Sequence, residues 1–360
     1  MNAGELIQSR YRLLRQLGAG ASGAVWAAKN ILIDRDVALK IMRPEVAQDA
    51  VSLQRFFNEA KASGRVRSPS IVEILDLGQA EDGSPFLVFE LLDGEGIDAM
   101  LRREGTIDAE RTMELFLGIS RALALAHQQG IVHRDLKPAN IFVHRPPSGE
   151  TIPKILDFGI SKVFDTTNNF SLTRTGMVVG SPAYMSPEQA AGRDDLDGRA
   201  DVWSLGVVMY EALTGTLPFE APNYNALMVR ILTQDADPVL TRNTSIPPSV
   251  AAIVDGCLRR ERDQRTASAE VLAQQVDAAL RELRGMRYAA QGASQMAPVG
   301  YPGWPPAQPQ GAMTYARGPG GPPTSHPKTD PSKRTILILA AAVGIGIGLV
   351  AVALGIAILR

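Results

Sequence analysis

His133-Arg-Asp-Leu-Lys-Pro-Ala-Asn140 is the stretch from which the rest of the chain can be read. It packs a carboxylate (Asp135), an ammonium (Lys137) and an amide (Asn140) into one short segment with Pro138 inside it. Proline fixes its own φ and pushes the residue before it, Lys137, out of the helical region. The segment is therefore an ordered loop that aims polar side chains at one point. Upstream, RTMELFLGISRALALAHQQG carries apolar residues at helical spacing and closes on Gly130, so a long helix should end just before the loop. His127 within it reads as structural, since no second ligand stands at metal-binding spacing. Downstream, IVHRDLKPANIFV and, past HRPPSGETIPK, ILDFGIS read as short apolar strands flanking the polar loop. They would bring Asp135, Asn140 and Asp157 together. One such residue alone is usually a turn or cap residue. Three oxygen donors beside a phosphate are what magnesium needs, because it takes one or two carboxylate-type ligands and fills its shell with phosphate oxygens and water.

The phosphate comes from the other end of the chain. Tyr11 to Val25 (YRLLRQLGAGASGAV) alternates apolar residues and is broken by Gly18, Gly20 and Gly23. Glycines so spaced let main-chain amides approach a phosphate. A dinucleotide-binding turn has the same letters, but there a helix begins at the glycines. Here strand-like text continues through AVWAAKN and RDVALKIM, which places the glycines at the tip of a β-hairpin. VALK ends in Lys40, a lone cation in an apolar strand that needs a partner to offset its desolvation, and a nucleotide phosphate is the natural one. SLQRFFNEAKASGRV then has helical periodicity, with Glu59 near the apolar face. Taken alone, Glu59 reads more readily as a solvated helix carboxylate, and its pairing with Lys40 rests on the other motifs. IVEILDLG, a turn at Glu81 to Ser84 and PFLVFELLDG follow as strands, the last running into a glycine-rich break where a small β-rich lobe should pass into a larger one.

Length and composition set the frame. A chain of 360 residues with a single cysteine, Cys257, holds its core without an internal disulfide and suits a reducing compartment. The formal net charge of −1 and the lack of a basic block interleaved with aromatics give no support to nucleic-acid binding. The opening MNAGELIQSR carries charges and no apolar run, so no secretory leader is expected there. Residues 285–335 are rich in Pro, Gly, Ala and Gln and read as a disordered, partly polyproline linker. Residues 336–359 (ILILAAAVGIGIGLVAVALGIAIL) lack charge altogether, and at 1.5 Å per residue they can cross a hydrocarbon core of roughly 30 Å. They are expected to form a single-pass transmembrane helix, with the portion before it cytoplasmic at the cell membrane, since Lys333 and Arg334 flank the near side. Ala340, Gly344 and Gly348 recur every fourth residue and would permit close helix approach, although small residues are common in such helices anyway.

With these pieces in place, residues 11–280 resemble the eukaryotic-type serine/threonine protein kinases, in the form common in bacteria. The motifs are GAGASGAV, VALK, Glu59, HRDLKPAN, DFG from Asp157 to Gly159, SPE from Ser186 to Glu188 and DVWSLG from Asp201 to Gly206, in family order and at family-like spacing. The resemblance implies an α+β bilobal fold, with a β-rich small lobe and a mainly helical large lobe. It implies ATP as phosphate donor, Mg²⁺ (or Mn²⁺) as the ion and protein substrates as acceptors. By family logic Asp135 takes the substrate hydroxyl's proton, Lys137 sits over the γ-phosphate, Asn140 and Asp157 hold metal, and Lys40, held by Glu59, binds the other phosphates. Leu17, Val25, Ala38 and the stretch through Phe89, Glu90 and Leu92 would line the nucleotide site. Arg134 implies control by phosphorylation, with Thr173 and Thr175 as the modified residues. Glu188, Asp201 and Arg265 are implied structural residues, Glu188 and Arg265 as partners. The sequence departs from the family where SPE replaces APE, where Ser181 replaces a common threonine, and in the long proline-rich loop after Val143. The alternative is a kinase-like scaffold that binds nucleotide without turnover, and the intact Lys40, Asp135 and Asp157 speak against it. A homodimer is open through either the kinase domain or the membrane helix.

Overall fold

The computed structural model describes residues 1–20, 23–43, 50–156 and 181–295. Asp157, Thr173, Thr175 and the apolar run 336–359 lie outside the described residues, as does the side chain of Glu59. The described residues belong to one compact unit.

The chain opens with β1 (Leu6–Ile7), β2 (Tyr11–Gly20), β3 (Gly23–Asn30) and β4 (Arg35–Met42), continues through α1 (Ala50–Ser63), and adds β5 (Ile74–Gln79) and β6 (Pro85–Glu90). Among the described residues these six strands form an antiparallel sheet in the order β1-β2-β3-β4-β6-β5. Strand alternation sorts its two faces. Val37, Leu39 and Ile41 join Tyr11, Leu13, Trp26 and Phe86 in a core on one side. Met42, Leu87 and Phe89 pack with Phe56 and Ala60 of α1 on the other, with Ala38 against them. Lys40 shares that second face, opposite Val25 and Leu87.

Beyond β6 come β7 (Gly94–Gly96), α2 (Ile97–Glu104) and α3 (Ala109–Gln128). Then β8 (Ile141–His144) and β9 (Ile152–Ile155) form a small sheet with β7. The rest is helical: α4 (Pro187–Ala190), α5 (Arg199–Thr214), α6 (Tyr224–Thr233), α7 (Val239–Arg242), α8 (Pro248–Cys257) and α9 (Ala269–Gln295). From Ala200 to Leu213 every residue of α5 but Glu211 is buried, so the large lobe is built around this helix. Each large apolar side chain buried there contributes about 1.5–3 kcal/mol. Cys257 faces this core, where burial pushes its thiol up to about 12 and leaves it inert.

Two boundaries bear on what the sequence predicts. Helix α3 ends as expected: Gly130 takes φ +75°, its N–H reaching His127 O at 2.9 Å while the N–H of Ile131 reaches Ala126 O at 3.0 Å. Helix α9, by contrast, runs to Gln295, past Gly285 where composition places the start of the linker. The continuation is held by charge: Arg284 reaches Glu114 at 2.7 Å and Arg287 reaches Glu110 at 2.9 Å, both on α3. Among the described residues no helix is long and apolar enough to cross a membrane.

Candidate active site

The loop 133–140 is locked from beneath by α5. Asp201, in the first turn of that helix and fully buried, accepts the N–H of His133 (2.8 Å) on one oxygen and the N–H of Arg134 (2.7 Å) on the other. His127 Nε2 donates to the same carboxylate at 2.8 Å, which accounts for the histidine at the end of α3. Burial works against the charge on Asp201. The hydrogen bond and positive potential of His127, the neighbouring His133 and the Arg134 amide outweigh it and hold the carboxyl below its usual range. The grip matters because Arg134 sits at φ +65°, a left-handed conformation that costs a side-chain-bearing residue about 1–3 kcal/mol. Gln189 of α4 donates to the Arg134 carbonyl at 2.8 Å and closes the clamp from the other side.

Within the loop, His133 Nδ1 accepts the N–H of Asp135 at 3.2 Å, so its proton lies on Nε2, which donates to Leu156 O at 3.0 Å. Leu136 is buried as the anchor. Lys137 is extended, as a residue before proline should be, and Pro138–Asn140 form a single 3₁₀ turn. The result is a cluster around one carboxylate. Lys137 Nζ lies 2.8 Å from Asp135 Oδ2, and Asn140 Nδ2 donates to the Asp135 carbonyl at 2.7 Å and to Oδ2 at 3.2 Å. Turning its NH₂ on Asp135 directs the amide oxygen of Asn140 to the other side. Leu156 N–H donates to the main-chain carbonyl of Asn140 at 2.8 Å. The amide oxygen of Asn140 is the donor the described residues would offer a magnesium ion, and the carboxylate expected to join it, Asp157, lies outside the described residues. Among the described residues no group of three or more His, Cys, Asp or Glu could hold an ion.

The residues expected at the nucleotide site lie mostly on the small-lobe sheet. Gly20 pairs with Gly23 at the end of the β2–β3 hairpin, and Gly18 pairs with Val25. Gly23 has φ +152°, and a Cβ there would lie 2.1 Å from Ile41 O, so only glycine closes this turn against β4. The register slips between Gln16 and Gly18 and leaves Leu17 at a bulge, half exposed. Val25, Ala38, Lys40 and Phe89 share one face through the pairs Val25 with Lys40 and Ala38 with Phe89. Glu90 ends β6, and Leu92 follows in the connection to the large lobe. Glu59 lies on α1.

Glu188, at the start of α4, forms a two-pronged buried ion pair with Arg265 at 2.7 and 3.0 Å. The Arg265 guanidinium also donates to the carbonyls of Arg199, Arg259 and Arg260 and lies 5.1 Å from the Trp203 ring centre. Burial opposes the Glu188 charge, but the Arg265 hydrogen bonds and charge outweigh it and lower its carboxyl. Two participants escape the sequence motifs. Gln189 is legible only as the last residue of the Ser186–Gln189 capping box that starts α4, a signal that does not point to Arg134. Lys154 carries the one applied to Lys40, a lone cation in an apolar strand, and the proline-rich loop preceding it draws attention away.

The family described as "Protein kinase domain" matches residues 11–276. The serine/threonine-protein kinase pkn3 of Myxococcus xanthus is 36% identical over 324 residues, covering 88% of this chain and 59% of that protein. The serine/threonine-protein kinase PknB of Mycolicibacterium smegmatis is 36% identical over 272 residues, covering 75% of this chain and 43% of that protein. The chain thus spans only about half the length of these relatives. Among solved structures, the PknI kinase domain of Mycobacterium tuberculosis superposes with a TM-score of 0.59 at 22% identity, covering 77% of this chain and 99% of that one. This last likeness speaks to the fold alone.

Proposed function

The chain belongs to the protein kinase family, and from that premise we propose that it transfers the γ-phosphate of ATP to serine and threonine hydroxyls of proteins. The observation that carries the proposal is the Asp135–Lys137–Asn140 cluster on a loop whose main chain is clamped by Asp201. Asp135 presents an acceptor oxygen to the incoming hydroxyl and takes its proton. Lys137, now 2.8 Å from that carboxylate, moves onto the γ-phosphate when nucleotide enters. Lys40, which Glu59 would hold, takes the remaining phosphates under the glycine hairpin. Asn140 and Asp157 would hold Mg²⁺, which neutralises charge on the phosphates. Nothing covalent is asked of the protein, whose contribution is position and charge.

Regulation follows from Arg134. Its main chain is fixed in a strained conformation beside the catalytic carboxylate, and its cation would be satisfied by a phosphate on Thr173 or Thr175. The apolar run 336–359 would anchor the chain with the kinase domain on the cytoplasmic face, where copies held in one plane meet and phosphorylate each other. One experiment addresses the set. Full-length chain recovered from the membrane fraction of expressing cells should incorporate phosphate from ATP and Mg²⁺, with Thr173 and Thr175 in the phosphopeptides. The Asp135→Asn chain should lose roughly 10²–10⁴-fold of that rate. Equal incorporation by both would defeat the catalytic assignment, unmodified threonines in active protein the regulatory one, and recovery in the soluble fraction the anchor.

A further inference from the structure

Lys154 lies in β9, in the text IPKIL that leads to Asp157, with 8% of its side chain exposed. Its Nζ donates to Glu90 Oε1 at 2.6 Å. The same oxygen accepts the N–H of Glu73 at 2.9 Å, and the N–H of Glu90 donates back to Glu73 O at 3.1 Å. The segment that carries Glu73 is itself fastened to β9: Ile155 N–H reaches Ser70 O at 2.9 Å and Val72 N–H reaches Ile155 O at 3.0 Å. Three parts of the chain therefore converge on one carboxylate. They are the large-lobe strand that delivers Asp157, the segment that follows α1, and the exit of β6 into the interlobe connection.

A buried ion pair is weak evidence for stability, because desolvating both charges offsets their attraction, and apolar residues of similar volume serve stability as well or better. What the pair supplies here is geometry. Glu90 is fastened through its carboxylate and its amide, so the path of Leu91 and Leu92, which begins at Glu90, is fixed relative to β9. We infer that Lys154 is a positioning residue for nucleotide binding, acting through Glu90 on the interlobe connection through Leu92, which the kinase reading assigns to the nucleotide site. The inference rests on the kinase reading above. An ordered connection binds nucleotide without first being ordered by it, so losing the tie weakens affinity for ATP more than it slows the chemistry.

The test compares full-length wild type with Lys154→Met, Lys154→Arg, Glu90→Gln and the double variant Glu90→Gln/Lys154→Met. Binding of a fluorescent ATP analogue with Mg²⁺ is measured beside phosphotransfer kinetics and thermal melting. Lys154→Met should raise both the Kd for nucleotide and the KM for ATP about tenfold while kcat stays within about twofold of wild type, and Lys154→Arg should restore both constants. Because both groups act through one contact, the double variant should bind no more weakly than the weaker single variant. Unchanged nucleotide affinity in Lys154→Met with a lowered melting temperature marks a merely structural pair and overturns the inference, as does additivity in the double variant. If Lys154→Met does not fold, the double variant, which leaves no unpaired charge, decides alone: wild-type affinity overturns the inference and weakened affinity supports it. A wild type that binds nucleotide but transfers no phosphate sinks the kinase reading while leaving the affinity comparison intact.

Discussion

Asp201 and Glu211 are carboxylates on the same helix with opposite electrostatic fates, and the difference lies in the number of donors each meets. Asp201 accepts hydrogen bonds from a histidine ring and two main-chain amides and stays ionised despite full burial. Glu211 has the Tyr184 hydroxyl at 2.8 Å, too little to offset burial, so its carboxyl is raised. A carboxyl raised in the folded state supplies stability that is full below its unfolded value of about 4.3 and is lost as pH rises through the folded value. Glu211→Gln keeps an acceptor for Tyr184 and removes the charge. It should therefore stabilise the fold at pH 7 by about 1 kcal/mol and have little effect at pH 4, read from denaturant midpoints at the two pH values. Asp201 has the reverse sign: its contribution is present above the unfolded value and disappears as pH falls through the lowered folded one.

At the scale of elements, the sequence is most legible where a physical requirement selects a residue type. The hairpin tip can be read from Gly18, Gly20 and Gly23 because the text on both sides alternates as strands, and the end of α3 from Gly130 because few other residues take its backbone conformation. Arg134 is less legible. Its positive φ is imposed by Asp201 and Gln189 from distant segments, and an arginine letter does not announce it. The length of α9 escapes composition for a related reason, since its last turns are held by arginines on acids of α3 and not by an apolar stripe that periodicity would detect. Such exposed pairs contribute about 0.2–1 kcal/mol each and weaken with salt. Arg284→Ala/Arg287→Ala should therefore leave the global melting temperature within about 2 °C while amide exchange beyond Leu283 speeds up. Exchange there should also rise with salt in the wild type, and a salt-insensitive tail in both would show that packing, not charge, holds this segment.

For the whole molecule, each lobe has its own core, and the site draws on both. The small lobe contributes a sheet face and the glycine hairpin, whereas the large lobe contributes a loop whose shape is decided by α5. The two-lobe plan is legible from the order of the motifs alone. The pairing of Glu188 with Arg265 is legible only through the family resemblance, and the structure shows it as a buried two-pronged ion pair. The interlobe tie through Lys154 is not legible in this way, because it exists only where three segments distant in sequence meet on Glu90.

The grip of Asp201 on the catalytic loop has a consequence in time as well as in space. Its partners His127, His133 and Arg134 precede it by 74, 68 and 67 residues. Contacts that close such long loops form late, after the local helices and hairpins. On the kinase reading, a chain growing from its N-terminus carries every residue of the loop 133–140 well before Asp201 arrives to hold them in place. Refolding from denaturant offers a direct view, since Trp203, two residues from Asp201, is fully buried and stacked against Phe219. Phosphotransfer should return with the fluorescence phase that Trp203→Phe removes, and later than the helical signal. Recovery of activity together with the earliest helical signal would show instead that the loop assembles without its anchor.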